Sequence, residues 1–270
     1  MGNMRACVHA VGLIVVVAWL AVGREAQAAA AARGGRSFYE DFEVTWSPEK
    51  VHIKEGGQQL QLSLDRSSGS GFKSKSDYLF ANIDMQIKLV PGDSAGTVTA
   101  YYLSSQTAYH DELDFEFLGN ESGQPYIVQT NVFANGVGRR EQRIYLWFDP
   151  TADFHTYTIS WTPQQIVFLV DDTPIRVFKK TAGQPYLDKQ AMAIYSSIWN
   201  ADDWATRGGL VKTNWAHAPF VTSYRNFQVK AAPISLFVDY NKLSWVKKNY
   251  MVYDYCFDHA RYPSLPIDCI

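Results

Sequence analysis

Cysteine and histidine are scarce in this sequence, and a basic tract is missing. The chain of 270 residues has three cysteines, six histidines and a formal net charge of −2 at pH 7. Without clustered Lys and Arg, the sequence offers no surface for nucleic acid or for an anionic membrane. The few cysteines and scattered histidines argue against a structural zinc site, so we expect no metal and no cofactor. The charge balance suits a neutral partner better than a polyanion.

Long hydrophobic runs are absent except for one near the N-terminus. Residues 10–22 (AVGLIVVVAWLAV) are apolar, Arg5 gives a short basic start, and residues 26–28 (AQA) form a small-x-small cleavage site. This pattern predicts a secretory signal peptide over residues 1–28, with an approximate cut site. A membrane anchor is disfavoured because the run is short and no stop-transfer pattern follows. We therefore expect a secreted protein.

The cysteine count leaves one pair in the mature chain. Cys7 is removed with the predicted leader, and Cys256 and Cys269 remain. In an oxidising secretory route we expect these two to form one disulfide that closes a C-terminal loop; two free thiols are the alternative. Closing so short a loop is expected to contribute about 3 kcal/mol in a chain-entropy account.

Sustained helical periodicity is also absent between residues 38 and 230. Apolar positions 83, 85, 87 and 89 alternate with polar ones, which predicts a half-buried strand. Residues 171–174 (DDTP) have the composition of a hairpin turn. Further strands are predicted at 97–103, 144–148, 156–161, 166–170, 175–178, 193–199 and 222–229. Many antiparallel strands without helices predict an all-β fold, a sandwich of two antiparallel sheets or a jelly roll.

The sequence changes character after Pro233. Leu243, Val246 and Tyr250 fall at helical spacing, so we predict one short helix at 242–251. We interpret residues 231–270 as a C-terminal extension that packs on the sandwich formed by residues 33–230. The extension is too small to form a core alone.

Residues 110–118 (HDELDFEFL) contain the most informative pattern. In a strand Glu112, Asp114 and Glu116 line one face, because successive side chains point to opposite sides. The other face then carries three apolar residues, Leu113, Phe115 and Phe117. Three carboxylates in a row repel each other and do not help folding. They make chemical sense if a neutral polymer lies across them and two of them attack it.

Paired carboxylates are the chemistry of glycoside hydrolysis, in which one protonates the leaving oxygen and the other acts from the opposite side of the sugar. Crowding raises at least one pKa, and the group so affected can serve as the acid. The spacing does not tell which Glu has which role. A solvated acidic face or a calcium site is an equally good interpretation of a bare E-x-D-x-E. Calcium ligands usually come from loops, whereas the flanking apolar residues favour a strand.

HDELDFEFLGN (110–120), followed by QTNVF (129–133), resembles the xyloglucan endotransglucosylase/hydrolases of plant cell walls, which belong to glycoside hydrolase family 16. The resemblance covers nearly the whole mature chain. It also runs through SLDRSSGSGFKSK (63–75), DMQIKLVPGDSAGTVTAYYLSSQ (84–106), YLWFDPTADFHTYTISW (145–161), SSIWNADDWATRGGLVKTNW (196–215) and YMVYDYCFDHARYP (250–263).

The resemblance implies a β-jelly-roll with an open cleft and assigns the acids. It makes Glu112 the nucleophile, Asp114 a helper and Glu116 the acid/base. The sugar-contacting positions it implies are Gln129, Thr130, Asn131, Arg140, Glu141, Asp203, Trp204, Gly208 and Arg261. Trp204 suits a stacking platform for a sugar ring, although a core Trp is the alternative. Arg140 on its own would most often be a solvated surface charge.

The same resemblance implies partners and a modification. The partners are a xyloglucan donor and a xyloglucan or oligosaccharide acceptor, in the cell wall and apoplast, and we expect a monomer. Asn120 in the only Asn-x-Ser/Thr sequence is the expected N-glycan site. Water as the acceptor would make the chain a hydrolase instead. A lectin-like binder without turnover is a further alternative, which the intact Glu-x-Asp-x-Glu pattern disfavours.

Three departures from the family pattern stand out. Arg139 occupies a position where the family often has Asn, which adds charge near the sugars. Residues 230–245 are short and lack the second cysteine pair that many relatives carry. The segment between Phe178 and Met192 is short, and because insertions there accompany dedicated hydrolases, its absence favours transfer.

Overall fold

The computed structural model describes residues 36–233 and 237–269. The predicted signal peptide and Cys7 lie outside the described residues. The helices are α1 (Phe38–Asp41) and α2 (Tyr240–Tyr250). The strands are β1 (Phe42–Trp46), β2 (Val51–Lys54), β3 (Gln59–Leu64), β4 (Ser70–Tyr78), β5 (Ala81–Lys88), β6 (Thr97–Ser104), β7 (Glu112–Leu118), β8 (Ile127–Phe133), β9 (Gln142–Tyr145), β10 (His155–Trp161), β11 (Gln165–Val170), β12 (Thr173–Lys179), β13 (Met192–Asn200), β14 (Phe220–Ala231) and β15 (Met251–Asp254).

The strands form two antiparallel sheets, as predicted for a sandwich. The first has eight strands in the order β1-β4-β13-β6-β7-β8-β9-β15, and the second has seven in the order β12-β11-β10-β5-β14-β3-β2. Short 3₁₀ turns lie at Pro48–Lys50, Glu55–Gly57, Arg207–Gly209, Trp215–His217, Tyr255–Phe257 and Ile267–Cys269. Strand β7 occupies an interior position of the first sheet, with β6 and β8 as its neighbours.

The core lies between the sheets and takes alternate residues from each strand. Strand β5 shows the predicted alternation, with Ile83, Met85 and Ile87 fully buried. From the other sheet, Phe117 packs edge-to-face on Tyr157 of β10, with ring centroids 4.6 Å apart. Such edge-to-face pairs add to the burial of large apolar rings. The apolar face of β7 therefore anchors the strand from below and leaves its acidic face pointing away from the core.

The hairpin between β11 and β12 confirms the turn prediction. Asp171 and Asp172 have φ angles of 46° and 60°. Two consecutive residues with positive φ are the signature of a type I′ turn, which matches the twist of paired strands and which Asp tolerates. The prediction at 144–148 was partly wrong, because β9 ends at Tyr145. The next backbone N–H, of Leu146, still follows the register with β8 and donates to the Tyr126 carbonyl at 3.1 Å, but residues 146–148 lie outside the strand.

The C-terminal extension is joined to the sandwich more closely than the sequence predicted. Helix α2 begins after Asp239, whose carboxylate accepts hydrogen bonds from the backbone N–H groups of Asn241 and Lys242, the usual N-cap arrangement. Strand β15 pairs with β9 and so becomes the outermost strand of the eight-stranded sheet. The disulfide between Cys256 and Cys269 is formed, with Cα atoms 5.6 Å apart. Neither the strand nor its sheet position was predicted.

Aromatic contacts also tie α2 to the sandwich. Trp147, which follows β9, packs on Trp245 of α2 with centroids 5.5 Å apart. Leu243 and Val246 supply the buried side of the helix. In the described part of the chain, none of the helices has the length and apolar character needed to cross a membrane.

Candidate active site

The acidic face of β7 belongs to three rows of side chains that cross the first sheet. Glu112 is paired with Ser104 of β6 and Phe133 of β8. On the same two strands, Asp114 is in register with Tyr102 and Asn131, and Glu116 is in register with Ala100 and Gln129. Directly opposed residues of antiparallel strands have their Cβ atoms about 5 Å apart. Each acid is therefore in reach of defined neighbours on both sides.

These rows form the floor of an open cleft. The cleft has a volume of about 590 Å³ and contains all three acids. Aromatic side chains line it on both sides of the acids: Trp46, Tyr102, Phe133, Tyr195 and Trp199. Tyr102 and Tyr195 stack with centroids 5.2 Å apart. Aromatic planes beside carboxylates suit a sugar, which presents apolar ring faces and polar hydroxyls.

Asp114 is the most buried of the acids, with 6% of its surface exposed. Burial raises its pKa well above the usual value, and the charges of Glu112 and Glu116 raise it further. A hydrogen bond to Glu112 also raises the pKa of Asp114 and lowers that of Glu112. Both directions fit a protonated Asp114 that donates its hydrogen bond to an ionised Glu112.

Glu112 lies at the less crowded end of the row. Burial raises its pKa, while hydrogen bonding with Ser104 and the charge of His110 oppose that shift. His110 Nε2 stands 3.9 Å from a Glu112 carboxylate oxygen. With Asp114 as a further donor, Glu112 has more groups that favour its ionised form than Asp114 has.

Glu116 lies at the other end, against β8 and β9. Burial raises its pKa, and the hydrogen bond from Gln129 and the charge of Arg143 lower it. The Gln129 side-chain amide donates to Glu116 Oε2 at 2.5 Å, and Arg143 Nε donates to Gln129 Oε1 at 2.6 Å. The negative charges of Glu112 and Glu141 act in the opposite sense and raise the pKa. A carboxyl group with a raised pKa can hold the proton that a general acid needs.

The positions implied for QTN divide between the two faces of β8. Gln129 and Asn131 share the acidic face, where Asn131 lines the cleft. Thr130 lies on the opposite face, and its carbonyl and hydroxyl oxygens accept hydrogen bonds from the buried Arg176 at 2.9 and 3.1 Å. The expectation of a sugar contact from the Thr130 side chain is therefore not met by the geometry. The period-two alternation of β8 is the physical reason.

The loop before β9 connects the catalytic sheet with the C-terminal extension. Arg140 is not a solvated surface charge, because its Nε pairs with Asp268 at 2.8 Å and its side chain is 12% exposed. Glu141 pairs with Arg261, with Nη1 and Oε2 2.7 Å apart. Arg139 has a φ of 67°, a left-handed conformation that Asn adopts more readily than Arg. For the backbone, Arg at position 139 is thus less favourable than the Asn that the family pattern leads us to expect.

The remaining expected contacts lie on the loop after β13. The Asp203 side chain is fully exposed, and Gly208 has a φ of 68°. Trp204 is half-buried against a small apolar cluster that includes Val98 and Leu118. Trp204 is therefore partly packed and partly exposed, a position between a core Trp and an open stacking platform for a sugar ring. These three residues do not line the central cleft.

Asn120 lies two residues after the end of β7, at the same end of the sheet as the loop after β13. Its side-chain amide donates to the Pro125 carbonyl at 2.9 Å, and its oxygen accepts from the Glu121 N–H. Thr206 in the loop after β13 donates to the carbonyl of Gly119 at 2.8 Å. The expected glycan site and the Asp203–Gly208 loop are therefore neighbours.

Sequence reasoning missed Tyr102, Tyr195 and Arg143. Each lies in register with an acid or its partner, but the strands that carry them come from distant parts of the chain. The alternation in YYLSS (101–105) and AIYSSIW (193–199) indicated the strands that carry Tyr102 and Tyr195. The sequence did not show the register that brings these two strands together. Within residues 36–233 and 237–269, no group of three or more His, Cys, Asp or Glu side chains is placed to hold a metal ion.

The fold and the acidic row together define a carbohydrate-active site, and comparison with known proteins agrees. The description "Glycosyl hydrolases family 16" matches residues 38–217, and "Xyloglucan endo-transglycosylase (XET) C-terminus" matches residues 238–269. The chain belongs to glycoside hydrolase family 16, among its xyloglucan endotransglucosylase/hydrolases. The family expectation from the sequence is thereby confirmed.

Sequence relatives agree with this assignment, and solved structures share the fold. The chain is 58% identical to xyloglucan endotransglucosylase protein 1 of Diospyros kaki, over 88% of this chain and 89% of the relative. It is also 58% identical to xyloglucan endotransglucosylase/hydrolase 2 of Glycine max, over 86% and 89%. A lichenase from a mouse hindgut metagenome shares the fold at a TM-score of 0.58 and 22% identity, covering 74% of this chain and 98% of that one. Apo Crh5 transglycosylase gives a TM-score of 0.59 at 24% identity, covering 73% and 81%.

Proposed function

We propose that the protein cleaves the β-1,4-glucan backbone of xyloglucan and transfers the new chain end to another xyloglucan or an oligosaccharide. The observation that carries this proposal is the row of three unequal carboxyl groups across an aromatic-lined cleft. A long open cleft suits an internal attack on a polymer. Its neutral, aromatic walls suit sugars rather than a charged chain.

The reaction proceeds in two steps through a covalent glucosyl-enzyme. Glu112 attacks the anomeric carbon with a carboxylate oxygen, the glycosidic C–O bond breaks, and the departing oxygen takes the proton of Glu116. Glu116, now ionised, removes a proton from the 4-hydroxyl of an acceptor sugar as that oxygen displaces Glu112. Glu112 is released as a carboxylate and Glu116 is protonated again. Asp114 keeps Glu112 oriented through its hydrogen bond.

Hydrolysis, with water as the acceptor, is the alternative outcome of the same intermediate. Transfer prevails when acceptor subsites bind sugar well enough to position its hydroxyl and exclude water. Gln129 and Asn131 on the acidic face of β8, and the paired Glu141 and Arg261 beside β9, are the polar groups we propose for the sugar contacts near the acids. Asp203, Trp204 and Gly208 are proposed to contact the chain where it leaves the central cleft.

The test uses mature protein, xyloglucan and a fluorescent xyloglucan oligosaccharide, followed by size-exclusion chromatography. Label in the high-mass fraction is the result expected for transfer. A fall in polymer mass without label incorporation would assign hydrolysis instead. No change in mass or label would refute both and leave a binding protein.

We also propose that the protein is secreted as a glycosylated monomer into the cell wall. The leader-like residues 1–28, the disulfide and the accessible loop at Asn120 support this. The catalytic domain is proposed to span residues 33–230, and the extension residues 231–270. Mass spectrometry of secreted Asn120→Gln and wild-type protein, with and without deglycosylation, tests the glycan and locates the mature N-terminus. Light scattering tests the oligomeric state.

A further inference from the structure

One cross-strand row links the C-terminal extension to the proposed acid/base. Glu116 is in register with Gln129 of β8, Gln129 with Arg143 of β9, and Arg143 with Tyr253 of β15. The row continues on the other side of Glu116 as Ala100, Ser197 and Gly71. Small residues thus leave room for a ligand on one side of Glu116, while long polar ones fill the other.

The polar half of the row is connected by directed contacts. Gln129 donates to Glu116 Oε2. Arg143 Nε donates to Gln129 Oε1 at 2.6 Å, which fixes the amide with its oxygen toward Arg143 and its NH₂ toward Glu116. The Arg143 guanidinium lies over the Tyr253 ring, 5.5 Å from its centroid, a contact that holds a planar cation in place.

We propose that Arg143 is a positioning residue for Glu116, acting through Gln129, and that the C-terminal extension holds Arg143 in place through Tyr253. The inference deepens the proposed function, since it concerns the same site. Through Arg143, the extension helps to determine the pH range over which Glu116 holds its proton. Within the described chain, Tyr253 is fixed in turn by its hydroxyl, which donates to Asp258 at 2.8 Å.

The charged groups that face Glu116 allow the sign of the effect to be worked out. Glu112 and Asp114 lie on its own strand, Arg143 faces it from β9, and Glu141 faces it from the loop before β9. On β6 its neighbours are Ala100 opposite and Tyr102 one pair away. Arg143 is the cation that lowers the pKa of Glu116, and Glu141 raises it while itself paired with Arg261.

Removing Arg143 is therefore expected to raise the pKa of Glu116, and removing the charge of Glu141 is expected to lower it. Because Glu116 must be protonated for the first step, the alkaline limb of the pH–rate profile should move to higher pH in Arg143→Met. In Glu141→Gln it should move to lower pH. A group that merely supported the fold would lower activity at every pH without moving the limb.

The molecule contains a matched control on the other sheet. Arg225 of β14 also bonds a glutamine through Nε, at 2.8 Å to Gln86, and also lies over an aromatic ring, 4.1 Å from the centroid of Phe154. It has no part in the cleft. Arg225→Met removes the same type of interaction, and the alkaline limb should stay where it is in the wild type.

The experiment is a ¹³C NMR titration of the free protein labelled at the Glu carboxyl carbons. The Glu116 signal is assigned from its absence in Glu116→Gln. Arg143→Met should shift its titration upward by about one pH unit, and Tyr253→Leu should shift it less in the same direction. Tyr253→Phe keeps the ring under Arg143 but loses the hydrogen bond to Asp258, so its titration should lie between those of the wild type and Tyr253→Leu. Arg143→Lys, which keeps the charge without the two-nitrogen fork, should lie between Arg143→Met and the wild type.

The same variants are then assayed on xyloglucan across the pH range, and the inference expects a change in kcat and in the alkaline limb. An unchanged Glu116 titration in both Arg143→Met and Tyr253→Leu would overturn the inference. A higher KM for the acceptor with an unshifted limb would overturn it as well and make Arg143 a sugar contact. A shifted titration in a protein with no turnover on xyloglucan would instead leave the inference standing and refute the proposed function.

Discussion

Strands β5 and β7 have the same alternation of apolar and polar residues, yet the acids on their polar faces lie in different surroundings. On β5, Asp84 is half-buried on the outer face and accepts hydrogen bonds from Asn82 at 3.1 Å and Thr158 at 2.7 Å. On β7, Asp114 is almost fully buried, flanked by two further acids, and its pKa is raised well above the usual value. Alternation thus predicts which residues share a face, and the surroundings of that face decide whether it is solvated or reactive.

The first and largest test of this comparison removes one carboxylate from each strand. Glu112→Ala should lower both transfer and hydrolysis by on the order of 10⁵-fold, because the nucleophile is lost and the residual rate comes from binding alone. Asp84→Ala should retain activity. The label-incorporation assay measures both variants under one set of conditions. Substantial turnover by Glu112→Ala would refute its assignment as nucleophile.

A second test removes the proton donor alone. Glu116→Gln keeps the shape of the side chain and its contact with Gln129, and should lower kcat by about 10²- to 10⁴-fold. An activated aryl glycoside, whose leaving group needs little protonation, should recover part of the first step in this variant. Equal losses on both substrates would contradict the assignment of Glu116 as the acid.

A third test asks whether the apolar faces of the two strands are equivalent. Leu113 and Ile83 are both fully buried, so Leu113→Ala and Ile83→Ala should each lower the free energy of unfolding by about 2–5 kcal/mol. Urea unfolding measures both variants. A much smaller loss for Leu113→Ala would mean that the core face of β7, as well as its acidic face, departs from the pattern of β5.

A fourth and smaller effect concerns the pH dependence of stability. Because the pKa of Asp114 is raised in the folded protein, the native state holds its proton more tightly than the unfolded chain does. The stability that this contributes is present below the usual carboxyl range and is lost as the pH rises toward the folded-state pKa. Asp114→Asn should therefore lose less stability than the wild type between about pH 4 and pH 7.

Thermal unfolding at several pH values measures this difference. Asp84→Asn is the matched change on the open face, where Asn82 and Thr158 remain as hydrogen-bonding neighbours. If the two variants respond to pH in the same way, burial of Asp114 is not the cause of its pH dependence.

Local sequence patterns predicted both faces of β7, the hairpin turn at Asp171 and Asp172, and helix α2, because each depends on neighbours within a few residues. The sandwich followed from the absence of helical periodicity. The cross-strand rows could not be predicted, since Tyr195, Tyr102 and Asp114 meet only through the register of three strands.

The errors have the same origin. Thr130 was expected to contact sugar along with its neighbours in the sequence, whereas β8 turns it toward Arg176. Strand β15 has four residues and an irregular register with β9, too little for a recognisable alternation. The sequence therefore did not predict how distant strands pair with one another.

The pairing of β15 with β9 also bears on how the protein behaves at high concentration. An unpaired strand edge offers a row of N–H and C=O groups on which another chain can assemble. Strand β15 covers that edge of β9, and its register with β9 is irregular between Met251 and Tyr253, a kind of distortion that makes an edge strand a poor template for assembly. A chain ending before α2 would leave β9 open, so the C-terminal segment also protects the sheet against aggregation.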